Sequence, residues 1–183
     1  MSMEDYILVT DSNSKNNDKQ IIIINGQGGV GKDAICDIVK KHYGTKVVSS
    51  IDMIKAIAIY GGWNKEKDLK GRKLLSDIKL AFSEYNDLSF KQMAHEIKVF
   101  KNFRDEQILF IHVREPEEIK KLVSEYPEIK TLLIIRGQNP YEFGNMADDN
   151  VYDYDYDFIF ENNGKLENLE NDFMEFFEGK MLK

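Results

Sequence analysis

The sequence predicts an α/β protein: a three-layer α/β/α arrangement around a mostly parallel, five-stranded sheet. Two observations carry this expectation. Short β-branched, apolar runs alternate with segments whose apolar residues recur at helical spacing. The first run feeds a glycine-rich turn that opens directly into a helical segment. A third observation sets the scale. With 183 residues, 42% hydrophobic and 11% aromatic, the chain suits one domain with a full core, and a disordered or collagen-like chain is excluded.

Residues 1–20 read as a flexible lead-in, because 11–20 (DSNSKNNDKQ) are polar throughout. The domain is expected over 21–183. Residues 21–24 are a continuous apolar run, as a parallel strand buried on both faces requires. Residues 32–42 place Ala34, Ile35, Ile38 and Val39 on one helical face. A short strand is expected at 46–48. Asp52 is placed to cap a helix over 53–60, which Gly61 and Gly62 stop. Two longer helices, rich in Lys and aromatic residues, are expected at about 67–85 and 89–103. A third strand covers 107–113. Pro116 then opens a helix with Glu117 and Glu118 in its first turn. Residues 131–135 and 158–160 supply the last two strands, and 166–177 a final helix. Residues 136–157 read as a long polar loop. Sheets of this kind bind ligands beyond the carboxyl ends of their strands.

Charge narrows the partners. The chain carries 25 Lys+Arg against 32 Asp+Glu, a net charge of −7, which argues against a general nucleic-acid binder. The charge is unevenly spread: residues 21–105 carry +5 and residues 106–183 carry −10. No apolar run approaches the roughly 18 residues that span a bilayer, and no signal-peptide core opens the chain, so no membrane role is expected. A single cysteine excludes an internal disulfide and fits the reducing cytoplasm.

Gly26-Gln27-Gly28-Gly29-Val30-Gly31-Lys32 matches G-x-x-x-x-G-K between a strand and a helix, the context of a phosphate-binding loop. Glycines let successive backbone N–H groups point into one concavity. The helix beyond adds its positive end, and Lys32 adds a mobile charge for the β- and γ-phosphates. The motif's usual Ser or Thr is Asp33, followed by Ala34. Two roles are open to Asp33: a carboxylate ligand for Mg²⁺, directly or through water, or a helix acid with no part in the chemistry. The residues from Gly26 to Ala34 form the candidate ATP site of a P-loop NTPase fold.

With this loop the chain resembles the deoxynucleoside monophosphate kinases of phages, within the adenylate-kinase-like nucleotide kinases. Gly31-Lys32-Asp33 is one shared feature. The run from Ile108 to Glu118 resembles that family's strand ending in Asp-Val-Arg and the helix after it, with His112 where the family has Asp. Leu133-Ile134-Ile135-Arg136 resembles the next strand with its terminal Arg, and Phe158 to Leu169 the last strand, turn and helix. The resemblance implies ATP and Mg²⁺, a helical acceptor-binding insertion at about 52–105, and a lid-like loop at 136–157.

Phosphoryl transfer needs positioning and positive charge over the migrating group. Arginine grips phosphate in two places, and only four are present among 25 basic residues. Arg114 and Arg136 follow strands at the site edge and are candidates for the acceptor or transferred phosphate. Arg72, in the insertion, is a candidate acceptor ligand. Arg104 reads as a helix-terminal charge. Ion pairing and solvation are the alternatives for the first three. Asp52 is a candidate for orienting a sugar hydroxyl or base, and Glu115 for holding metal-bound water. His112 reads as a core histidine, Trp63 and Tyr60 as packing or a base stack, and Cys36 as a small buried hydrophobe. Phe82, Tyr85, Phe90, Phe100 and Phe103 suit a core or a homodimer surface. The tract 148–157 reads as a solvated lid. The expected partner is a small phosphorylated metabolite, a (deoxy)nucleoside monophosphate first. The alternatives are a non-catalytic nucleotide-binding regulator and a kinase of another small metabolite.

Overall fold

The computed structural model describes residues 19–66, 68–137 and 150–183. Strand β1 (Gln20–Asn25) leads through the glycine loop to helix α1 (Lys32–His42) and strand β2 (Thr45–Ser49). Helices α2 (Asp52–Tyr60), α3 (Leu69–Asn86) and α4 (Leu88–Phe103) form the insertion. Strand β3 (Ile108–His112), helix α5 (Pro116–Glu125) and strand β4 (Lys130–Ile135) follow. Strand β5 (Phe158–Glu161) and helix α6 (Leu169–Phe176) close the chain, with a π-helical turn at Phe177–Met181.

The five strands run parallel in the order β2-β3-β1-β4-β5. β1 is central, so both of its faces are covered, and Ile22, Ile23 and Ile24 are fully buried. That is why its sequence is an unbroken apolar run and not an alternating one. Successive residues still point to opposite faces. Ile21, Ile23, Leu109 and Ile111 pack against Met93, Ile97 and Phe100 of α4 and Ile119 and Leu122 of α5. Ile22, Ile24, Phe110 and Ile134 pack against Ile35 and Val39 of α1 and Phe173 and Phe177 at the carboxyl end of the chain. The result is two helical layers on one sheet, as the alternation of elements implies.

Four local expectations are revised. Asp52 does not cap α2. Ile51 holds the cap position, and the Asp52 carboxylate instead accepts the Ser49 amide at 2.8 Å. The last helix starts at Leu169, because a turn occupies the preceding residues, with the Asn168 amide bonded to the Lys165 carbonyl. Of the lead-in, residues 1–18 lie outside the described residues. Lys19 already belongs to the domain: its ammonium donates to the carbonyls of Phe100, Lys101 and Arg104 (2.7, 3.1 and 2.8 Å), closing the end of α4.

The fourth revision concerns the loop at 136–157. Its residues 138–149 lie outside the described residues, but 150–157 are built into the core. Val151 is fully buried and Tyr156 is 8% exposed. The Asp157 carboxylate accepts both the amide and the hydroxyl of Thr131, at 2.8 and 2.9 Å. Tyrosines and aspartates alternate here, so one face packs and the other stays wet. Among the described residues, no helix is long and apolar enough to cross a membrane.

Candidate active site

Three glycines of the loop take a positive φ: Gly26 (+144°), Gly29 (+82°) and Gly31 (+102°). At two of them space also forbids a side chain. A Cβ on Gly26 would lie 2.4 Å from the Ile134 carbonyl oxygen, and one on Gly31 would lie 2.6 Å from Asn162 Nδ2. The glycines therefore let the loop lie close against Ile134 of β4 and Asn162 just beyond β5, at the carboxyl edge of the sheet.

Two buried asparagines hold it there. Asn25 Oδ1 accepts the Gly26 amide (2.8 Å), while its Nδ2 donates to the Arg114 carbonyl (3.1 Å) and to the Tyr156 phenol oxygen (2.7 Å). Tyr156 in turn donates to the Val151 carbonyl (2.9 Å). On the other side, Asn162 Nδ2 donates to the Val30 carbonyl (2.8 Å), and its own amide donates to Ile135. Neither asparagine nor Tyr156 stood out in the sequence as a site residue. The Asn-Gly step at 25–26 and the Asn at the end of β5 were the available signals.

Lys32 opens α1 and folds back over the loop, its ammonium 2.5 Å from the Gly26 carbonyl and 2.7 Å from that of Gln27. Gln27 and Val30 are buried beneath it, and Gly28, Gly29 and Ala34 face solvent. Asp33 projects outward with its side chain 98% exposed.

His112 sits at the end of β3, in register with Ile24 of β1 and Ser49 of β2. Its Nε2 is 3.7 Å from Cys36 Sγ and 3.9 Å from Asp33 Oδ1. Burial pulls the imidazole below its usual range, and the Asp33 charge opposes this without prevailing, so His112 is neutral at pH 7. Burial, reinforced by Asp33, pushes the Cys36 thiol up to about 12. A thiol held protonated is no nucleophile. Asp52 and Lys55, paired at 3.1 Å, also act on the His112 charge, as Lys32 does. The ends of β2 and β3 thus gather Lys32, Asp33, Asp52, Lys55 and His112. Sequence reasoning missed Lys55, whose signal was its spacing of three from Asp52 on one helix face.

The arginines are spread around this edge. Arg114 follows β3, tied through its carbonyl to Asn25, and its side chain is exposed. Arg136 follows β4, also exposed, next to the Ile135 carbonyl that holds Asn162. Arg72 is exposed on the first turn of α3. Glu115 is engaged by Lys79 at 2.6 Å, and Lys79 also reaches Glu118 at 2.9 Å, so any metal at Glu115 competes with an ammonium. Trp63 is wedged on α3: its indole N–H donates to the Glu66 carbonyl (3.0 Å), and a Cβ on Gly71 would lie 2.8 Å from that nitrogen. Tyr60 is exposed.

The loop fits a nucleotide's phosphates, because its glycines present bare backbone and Lys32 stands over it. Among the described residues, no group of three or more His, Cys, Asp or Glu is placed to hold a metal ion alone. Asp33, a hard oxygen donor at the loop's exit, can share one with phosphate oxygens.

No protein-family model matches the chain, and no curated protein sequence matches it. In fold it is similar to solved kinases. An unliganded sugar kinase from Janibacter sp. HTCC2649 superposes with a TM-score of 0.50 at 11% identity, over 87% of this chain and 95% of that one. The shikimate kinase of Aquifex aeolicus vf5 gives 0.49 at 12% identity, over 89% and 99%. A kinase candidate from Chloroflexus aurantiacus J-10-fl gives 0.42 at 14% identity, covering 66% of this chain, which spans 61% of that one. At such identities the likeness speaks of fold alone, and the sugar kinase superposition carries it. The parallel sheet and the phosphate loop place the chain in the class of P-loop α/β folds.

Proposed function

We propose that this protein transfers the γ-phosphoryl group of ATP to a small phosphorylated metabolite, a (deoxy)nucleoside monophosphate first among them. One observation carries the reading: the strand–loop–helix unit with Lys32 folded over bare glycine backbone at the carboxyl edge of a parallel sheet. The loop amides and Lys32 bind the donor phosphates. Asp33 would hold Mg²⁺, which would supply further charge neutralisation. Arg114 and Arg136 follow β3 and β4 at the same sheet edge as the loop, and Lys55 on α2 pairs with Asp52 near His112. These cations suit an acceptor that is itself an anion. Such an acceptor is already ionised at neutral pH, so no general base is needed. Asp52 remains partly exposed and suits a hydroxyl or amine of the acceptor.

A second reading rests on His112, a neutral imidazole where the resembled family has an acid. It is a nucleotide-binding protein without turnover. ADP release, followed with ATP, Mg²⁺ and a panel of monophosphates and hydroxyl acceptors, separates the two. Turnover with one monophosphate is the expected result. Tight ATP binding with no turnover across the panel establishes the second reading, and turnover with a hydroxyl acceptor alone corrects the acceptor class. Lys32→Ala is expected to weaken ATP binding at least tenfold by calorimetry, as loss of charge-assisted bonds to phosphate requires. Unchanged affinity would remove the loop from the argument.

A further inference from the structure

We propose that Lys79 is a cation of the acceptor site, held on two internal carboxylates that an incoming phosphate replaces. The proposal rests on the kinase reading above and deepens it. Lys79 lies midway along α3, and Glu115 and Glu118 lie at the start of α5, immediately beyond β3. Its ammonium is 2.6 Å from one carboxylate and 2.9 Å from the other. This is the pair of short contacts that two oxygens of a phosphate would make. The side chains of Lys79 and Glu118 are 13% and 16% exposed, but that of Glu115 is 49% exposed, so the cluster opens to solvent on one side.

Two features make the contact releasable. First, two carboxylates share one ammonium. An anion that brings its own two charges competes with carboxylates that already repel each other. Second, α3 is only lightly anchored by apolar packing. Gly71 alone is fully buried, Leu75, Ile78 and Phe82 are half-buried, and Leu69 and Leu80 are 87% and 61% exposed. A helix whose apolar face is only half-buried shifts at lower cost than one packed into the core. Arg72 precedes Lys79 by seven residues, which is about two turns and roughly 10 Å along the same helix face. One movement of α3 therefore carries both cations.

Trp63, the single tryptophan, is seated on the first turn of α3 and reports on it. Its emission is followed while the full chain is titrated with inorganic phosphate. The wild type is expected to respond. Lys79→Met is expected to move the half-point about tenfold higher, the scale of a lost charge-assisted bond. Glu118→Gln, which leaves Glu115 as the one carboxylate on the ammonium, is expected to move it about threefold lower. ADP affinity stays unchanged in both variants. A silent wild type, or a Lys79→Met curve that overlays it, overturns the proposal. So does a Glu118→Gln curve shifted in the same direction as Lys79→Met, which would mark the cluster as scaffolding. Lys32→Ala separates the two levels. It is expected to keep the phosphate response while losing ADP, so a failure of the loop reading shows in ADP binding and a failure of this one in Trp63.

Discussion

Asn162 shows how much of the phosphate loop depends on a residue more than a hundred positions away. Its side-chain amide serves the Val30 carbonyl in the buried middle of the loop, and its backbone amide serves β4. Replacing it with Ala leaves the Val30 carbonyl without that donor in a place shielded from water. An orphaned buried acceptor costs about 1–3 kcal/mol. Asn162→Ala is therefore expected to lower stability by about that amount in urea denaturation, with ATP affinity falling at least threefold. Full affinity at reduced stability would show that the loop keeps its shape without this bond. The pattern G-x-x-x-x-G-K was legible in the sequence because it is local. Asn162, Asn25 and Tyr156 were not, because their partners are set by which strands become neighbours. Lys55 lay in between: its tie to Asp52 was readable from spacing, but its approach to His112 required the β2–β3 register.

The elements themselves were read well wherever one periodicity ruled the segment. Helix α1 runs from Lys32 to His42 as its apolar spacing implies, and all five strands sit within a residue or two of their expected places. The reading weakened where composition and pattern disagreed. Residues 150–157 looked like an open acidic loop, yet the period of two in Tyr152, Tyr154 and Tyr156 was the informative signal. Helix α3 posed the opposite problem. Its sequence is helical and half-buries Leu75, Ile78 and Phe82, but its tie to α5 through Lys79, Glu115 and Glu118 is one that no local pattern encodes.

That cluster sets a pH dependence of the α3–α5 junction. Burial pushes the Glu118 carboxyl upward, Lys79 pulls it back, and Glu115 adds to the rise, leaving it at about 7 against a usual 4.5. Glu115 is held low: burial alone would raise it, but the Lys79 charge and hydrogen bond prevail. The folded chain thus holds the Glu118 proton more tightly than the unfolded chain does. The stability this contributes is present below about pH 4.5 and is lost as pH rises through about 7. Glu118→Gln removes that loss. Relative to wild type, its Tm is expected to improve between pH 5 and pH 8. A Tm difference that is the same at both pH values would show that Glu118 titrates normally.

At the scale of the whole molecule, one sheet serves two cores, and they contribute through different elements. The layer of α1 and α6 is closed by aromatic packing: Phe173 stacks on Phe177 at 5.7 Å and meets Phe160 edge-on at 5.0 Å. Phe173 and Phe177 are fully buried. Truncating Phe173 to Ala is expected to cost about 3–5 kcal/mol, because the cavity lies between rigid neighbours. Urea denaturation should show this as a lower midpoint with an unchanged slope, since the surface exposed on unfolding stays the same. A loss under about 1 kcal/mol would mean that the layer collapses to fill the gap. The charge asymmetry also reads differently in three dimensions. The basic first half brings Lys32 and Lys55 to the carboxyl edge, while part of the acidic second half is consumed internally, by Thr131 at Asp157 and by Lys79 at Glu115 and Glu118.

Both ends of the described chain are fastened at the edge of the sheet away from the phosphate loop. Lys19 closes α4 beside the start of β1, and the Met181 carbonyl accepts the ammonium of Lys130 at the start of β4, a strand paired with β1. Chain leaving the domain before Lys19 or after Met181 therefore departs from the side of the sheet opposite the loop. Tethered to a sensor chip from that side, the protein would present its phosphate loop outward to solution.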